Sequence, residues 1–161
     1  MTTTPAITVL IGAPGAGKTT VARTLADRPV VLSLDRARAV CGEHEGDQKA
    51  SRAAFAHVEK LVHEHLADGL AVAIDATGAR RRDRRVWLRL AREHDVPATA
   101  LVVSAPLEVC LERNADRPPH RRVPDHTVSR MWNTVSALTD TDLISEGFVR
   151  VERVTTAPEP N

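Results

Sequence analysis

Gly12-Ala13-Pro14-Gly15-Ala16-Gly17-Lys18-Thr19 is the stretch on which the fold turns. It ends a short β-branched run, Ala6 to Gly12, and leads into a helical pattern carried by Val21, Ala22, Leu25 and Ala26. Strand, glycine-rich turn and helix form the setting in which G-x-x-x-x-G-K-[ST] cradles phosphates. A triphosphate needs several backbone N–H donors converging on it. Glycine permits that backbone geometry, and the helix N-terminus adds positive potential. Lys18 is the mobile charge expected to follow the β- and γ-phosphates, and the Thr19 hydroxyl is expected to serve magnesium. Gly12, Ala13, Pro14, Gly15, Ala16, Gly17, Lys18, Thr19 and Thr20 are therefore the expected ATP-binding set, with ATP and Mg2+ as cofactors.

Working outward, Val30 to Leu34 reads as a second strand, with Asp35 as its first polar residue. From about Gln48 to Leu66, the positions Phe55, Val58, Leu61, Val62 and Leu66 mark one face of a long helix that Asp68-Gly69 closes. Leu70 to Ile74 reads as a third strand ending at Asp75, Val86 to Ala91 as the next helix, and Ala98 to Val103 as a fourth strand. A helix begins at Leu107, Cys110 and Leu111 and must stop near Pro118-Pro119. Val128, Met131, Trp132, Val135 and Leu138 mark a last helix, and Phe148 to Val154 a fifth strand. Alternating strands and helices imply an α/β, three-layer P-loop fold. The expected sheet is parallel, five-stranded and ordered 2-3-1-4-5, with helices on both faces. Ligands bind such sheets at the carboxyl ends of the strands, where Gly12 to Thr19, Asp35 and Asp75 all fall.

Composition narrows the function. The 161 residues suit one core, expected to span 1–154 as a single domain, with 155–161 as a frayed tail. No apolar run approaches the roughly 18 residues of a membrane span, and the amino terminus does not read as a secretory signal, so a cytoplasmic location is expected. Cys41 and Cys110 lack metal-ligand spacing and are expected to be reduced. A formal charge of +1 excludes a generally cationic nucleic-acid coat, so a polyanion must be gripped locally. The absence of N-K-x-D argues against a guanine-specific switch, and the chain is small for a motor core; a small kinase remains.

Asp35 and Arg38, one helical turn apart, should project together at the ligand edge. An ionised aspartate can accept a hydroxyl proton as a phosphoryl group arrives, and Arg38 can hold an anionic part of the acceptor. The alternative for Asp35 is a helix N-cap. Arg80, Arg81 and Arg82 place positive charge at a helix start, against the dipole, where a nucleic-acid strand would relieve it; Asp83 and solvent are the alternative.

The chain resembles the kinase domain of bacterial and phage 5′-hydroxyl polynucleotide kinases. The likeness is carried by Val9 through Thr19, Ser33-Leu34-Asp35 with Arg38, Gly46-Asp47-Gln48, Ile74-Asp75-Ala76-Thr77, Cys110 through Asn114, and Arg117-Pro118 to Arg121-Arg122-Val123-Pro124. It spans about residues 6 to 150. The resemblance implies that Lys18 and Thr19 bind ATP and magnesium, that Asp35 is the general base and that Arg38 grips the phosphate 3′ to the accepting nucleoside. It implies that Gln48 helps shape the acceptor pocket; Arg80 is expected to bind the acceptor on the separate ground of the helix-start charge given above. Asp75 would hold a magnesium-bound water, or instead cap the next helix. Residues 113–126 look like an arginine-rich lid in which Arg117 and Arg121 close over the donor phosphates. The chain departs from the pattern at Gly78, where relatives often carry asparagine, and in a lid one residue longer, which leaves Arg122 unassigned. The function expected is a polynucleotide 5′-hydroxyl kinase standing alone. A kinase for a nucleoside, modified base or small-metabolite alcohol, and a non-catalytic ATP-binding regulator, are the alternatives.

Overall fold

The computed structural model describes residues 4–41 and 51–156. Along the chain come β1 (Ile7–Ile11), α1 (Lys18–Arg23), β2 (Val30–Ser33), α2 (Leu34–Cys41), α3 (Ser51–Ala67), β3 (Val72–Asp75) and α4 (Arg81–Glu93). Then follow β4 (Ala98–Ser104), α5 (Leu107–Ala115), a 3-10 turn at Pro119–Arg121, α6 (Asp125–Ser136), α7 (Asp140–Glu146) and β5 (Arg150–Thr155). The strands form one parallel sheet ordered β2-β3-β1-β4-β5, as expected.

Strand periodicity explains how the sheet is covered. Ile7, Val9 and Ile11 of β1, Val72 and Ile74 of β3, and Ala98, Ala100 and Val102 of β4 face one core. The residues between them, Leu10, Ala73, Leu101 and Val103, face the other. Both faces are dry, so these strands read as continuous apolar runs. On the first face α3 supplies Ala54, Val58, Val62 and Leu66, spaced so that one helical stripe is buried, and α4 supplies Trp87, Leu90 and Ala91. On the second, Ala22 of α1, Val109 and Cys110 of α5 and Val128 of α6 close the layer. The carboxyl ends of β1, β2 and β3 thereby share one edge of the sheet, where the site assembles.

Several boundaries differ from expectation for identifiable reasons. Helix α1 stops at Arg23 because Thr24 turns both its backbone N–H and its hydroxyl onto the Val21 carbonyl, at 3.0 and 2.8 Å. Leu25 still packs on the core, from a turn. Helix α7 was not foreseen, although Thr139 and Asp142 form a reciprocal capping box at its start. Strand β5 begins at Arg150, with Phe148 buried just before it, and runs through Thr155, the first residue of the supposed frayed tail. Thr156 continues the ladder, donating its N–H to the Ser104 carbonyl at 2.8 Å. Gly46-Asp47-Gln48, and with it the expected role of Gln48, lies outside the described residues. Both cysteines are free, Cys41 exposed and Cys110 buried. Among the described residues no helix is long and apolar enough to cross a membrane.

Candidate active site

The phosphate loop is held from below and behind. Gly12 donates its N–H to the Thr77 carbonyl at 3.0 Å, which ties the loop to the exit of β3. Gly15 has a φ of 83°, and a Cβ there would stand 2.4 Å from the Cys110 carbonyl oxygen, so α5 abuts the loop too closely for any side chain. Ala13, Pro14 and Ala16 are buried, whereas Thr19 and Thr20 open onto the cleft. Lys18 curls back to donate its Nζ to the carbonyls of Gly12 and Ala13, at 2.8 and 3.0 Å. Burial lowers its pKa to about 8; Asp75 and Asp35 pull it back up, and Arg117 pushes it further down.

Beside the lysine, the Thr19 hydroxyl donates to Asp75 Oδ2 at 2.7 Å. Asp75 is the last residue of β3 and is 8 % exposed, so the sheet delivers its carboxylate to the first turn of α1. The helix after β3 takes Arg80 as its cap residue, so Asp75 is not an N-cap. A hydroxyl and a carboxylate side by side suit a hard cation such as magnesium, which binds through few protein oxygens and completes its shell with phosphate and water. Among the described residues no group of three or more His, Cys, Asp or Glu could hold a metal by itself.

The opposite wall is α2. Ser33 caps this helix, its Oγ accepting from the Arg36 N–H at 3.3 Å, which leaves the Asp35 carboxylate available to the cleft. Asp35 forms an ion pair with Arg38, and Arg38 Nε donates to Ser51 Oγ of α3 at 3.2 Å. These two bonds use two of the five N–H groups of the guanidinium. A cleft of about 870 Å³ joins this wall to the phosphate loop, and Lys18, Thr19, Asp35, Arg38, Asp75 and Arg117 all line it. Arg80 also reaches the cleft, but its Nε donates to Asp83 Oδ2 at 3.1 Å, and Arg82 stands 3.7 Å from the same carboxylate. The charge opposing the helix dipole is thus partly balanced from within.

The segment expected to act as a lid is a short turn framed by α5 and α6. Asn114, fully buried at the end of α5, donates to the Val123 carbonyl at 2.6 Å and accepts from the Val123 N–H at 3.0 Å. That clamp closes the turn at its base. Arg117 is half-buried over the cleft, and its pKa is lowered by burial and then by Arg121, against the opposing pull of Asp35 and Asp75. Arg121 lines the cleft from the 3-10 turn. Arg122 donates to the Arg117 carbonyl at 3.0 Å and so braces this turn. Arg113 points elsewhere: its Nη1 reaches the Gly15 carbonyl at 3.2 Å and Thr156 Oγ1 at 3.0 Å, while Thr156 Oγ1 donates to the Ala16 carbonyl at 2.7 Å.

Three residues that shape the site escaped the sequence reading. Arg84, which follows Arg80, Arg81 and Arg82 in the same basic run, is 2 % exposed. Its guanidinium bonds Glu146 of α7 at 2.8 and 2.6 Å, and the carbonyls of Gly78 and Ala79 at 2.7 and 2.9 Å. It thereby holds the segment between β3 and α4. Gly78 sits there with φ 59°, a region open to glycine and tolerated by asparagine. A Cβ at Gly78 would lie 3.1 Å from the Leu10 carbonyl oxygen. Asn114 lay in a quoted motif without a role, and Thr156 was consigned to the tail. Only the i, i+3 position of Arg84 relative to Arg81 and Trp87 hinted at burial, since Trp87 belongs to the core stripe.

The model of a family described as "AAA domain" matches residues 7–138. No curated protein sequence matches the chain. Among solved structures, a kinase candidate from Chloroflexus aurantiacus j-10-fl has a TM-score of 0.69 at 18% identity, covering 94% of this chain and 89% of that one. A chain of the Pnkp1/Rnl/Hen1 RNA repair complex has a TM-score of 0.70 at 23% identity over 83% of this chain, which spans only 44% of that one. Kti12 of Chaetomium thermophilum, solved with ADP-AlF3, has a TM-score of 0.64 at 19% identity, with 92% and 88% of the two chains covered. At such identities the likeness is one of fold, and the fold is P-loop kinase-like.

Proposed function

The chain belongs to the AAA domain family, and from that premise we propose that it is an ATP-dependent phosphotransferase acting on the 5′-hydroxyl end of a nucleic acid. The observation that carries the reading is the cleft itself. Asp35 and Arg38 stand on one wall and Lys18, Thr19 and Asp75 on the other, with Arg117 and Arg121 above. Phosphoryl transfer asks for positioning and for cations around a developing charge, and these residues are of the required kinds.

In this reading the loop from Gly12 to Thr19, with Thr20, holds the triphosphate of ATP. The acceptor oxygen bonds to the γ-phosphorus as the bond from that phosphorus to the β-bridging oxygen breaks, and ADP leaves. The hydroxyl proton passes to the Asp35 carboxylate. Lys18 exchanges the carbonyls of Gly12 and Ala13 for phosphate oxygens, while Arg117 and Arg121 stabilise the charge on the transferring group. Thr19 and Asp75 would hold magnesium, which supplies charge neutralisation at the phosphates. Arg38 keeps further N–H groups for an acceptor phosphate, and Arg80 lies along the acceptor's path. A polynucleotide acceptor is supported by the likeness to a chain of an RNA repair complex and by the pairing of a carboxylate with a guanidinium on one wall.

A second reading, a kinase for a nucleoside, modified base or small alcohol, is favoured by one observation. Asp83 partners both Arg80 and Arg82, so the start of α4 offers less net positive charge to a long polyanion. The deciding experiment offers γ-labelled ATP with a 5′-hydroxyl oligonucleotide and, separately, with a panel of nucleosides and small alcohols. Label on the oligonucleotide is expected; label confined to the small molecules would move the assignment to the second reading. Asp35→Ala should slow transfer by roughly 10²–10⁴ while ATP binding persists, and equal rates in the variant and the parent protein would remove Asp35 as the base.

A further inference from the structure

Phe55 stands on α3 one turn after Ser51, the residue that anchors Arg38. Residues four apart share a helix face, with Cβ atoms roughly 6 Å apart. The ring is half-buried and lines the cleft alongside Leu34, Asp35 and Ala76. Behind it lies Trp87 of α4, with ring centroids 5.7 Å apart and planes at 12°, and Trp87 is only 1 % exposed. The tryptophan fixes the tilt of the phenylalanine, and the phenylalanine presents apolar aromatic surface, with Leu34 and Ala76, to a cleft that also carries Asp35 and Arg38. Phosphoryl transfer needs no such surface.

A carboxylate and a guanidinium on α2, tied through Ser51 to an aromatic ring one turn along α3, match the alcohol, phosphate and base of a nucleoside at the end of a strand. The alcohol meets Asp35, the following phosphate meets Arg38, and the base meets Phe55. We propose that Phe55 is a stacking platform for the terminal base of the acceptor, which makes it a specificity-determining residue for the nucleoside unit that carries the hydroxyl. The inference rests on the polynucleotide reading above. Stacking is tolerant of base identity, since every base has a π-face, so the platform selects for the presence of a base rather than for its sequence.

The test compares 5′-hydroxyl oligonucleotides identical except that the terminal residue carries either a base or an abasic tetrahydrofuran. With the parent protein, removing the base should raise KM for the oligonucleotide about tenfold, with kcat within about twofold and KM for ATP unchanged. Phe55→Leu should raise KM for the base-bearing end by a similar factor and leave the abasic end unaffected, so the two substrates converge. Thermal melting with and without ADP reports on folding of the variant; if Phe55→Leu does not fold, the comparison in the parent protein still decides. Efficient transfer with equal KM for the two ends would overturn the platform and leave the kinase assignment standing. A Phe55→Leu variant that weakened both ends equally would likewise overturn it. No transfer to either end would sink the polynucleotide reading and the platform together.

Discussion

Lys18 carries the sharpest consequence at the scale of single residues. Its ammonium is sheltered among loop carbonyls, and burial brings its pKa to about 8 from an ordinary 10.5. Between those values the folded chain holds fewer protons at this site than the unfolded chain, so the group's contribution to stability rises with pH across that window. Below pH 8 the burial penalty is present in full, and above 10.5 it is gone. A bound phosphate restores the charge, so ADP binding near pH 9 should take up as much as about one proton. Calorimetry in buffers of different ionisation enthalpy measures that uptake. It should vanish in Lys18→Met, and an unchanged uptake in that variant would place the proton elsewhere. Asp35 belongs to the same scale: Ser33 caps α2, and the Asp35 carboxylate lies at the cleft, paired with Arg38.

At the scale of elements, the turn that carries Arg117 and Arg121 depends on how α5 hands over to α6. Asn114 spends both ends of its amide on the Val123 backbone in a fully buried position. Replacing it with alanine strands a buried N–H and a buried C=O, at a cost of about 1–3 kcal/mol. Asn114→Ala should therefore lower unfolding stability by that amount, speed proteolysis within residues 116–124 and reduce kcat, because Arg117 and Arg121 hang from the same turn. Denaturant unfolding with limited proteolysis checks this, and a variant unchanged in both would show that the turn stands without its clamp. The loop after β3 is governed by Arg84 in the same way, since the guanidinium is what its two carbonyls bind.

Across the whole molecule, the Arg84–Glu146 pair joins α4 to α7 with both side chains nearly excluded from solvent, at 2 % and 6 % exposure. A buried pair adds little net stability, yet breaking it leaves a charge stranded, at about 3–5 kcal/mol. Arg84→Met should cost stability on that scale by chemical denaturation, and Arg84→Met with Glu146→Leu should recover much of it. Equal losses in the single and double variants would mean that the two carbonyls, not the carboxylate, set the cost. The parallel sheet, its strand order and the phosphate loop were legible in the sequence because each is written locally, in apolar periodicity, in glycine spacing and in helices long enough to cross over. Asp35, Asp75, Arg117 and Arg121 could be nominated because they fall at or just beyond strand ends or within a short basic turn. Tertiary structure alone separated Arg84 from Arg80, Arg81, Arg82 and Arg85, which read alike in one run, because its partner Glu146 lies 62 positions away. It alone brought Thr156 onto Ala16 across 140 positions. A side chain's burial depends on which distant element packs over it, and local spacing carries no record of that.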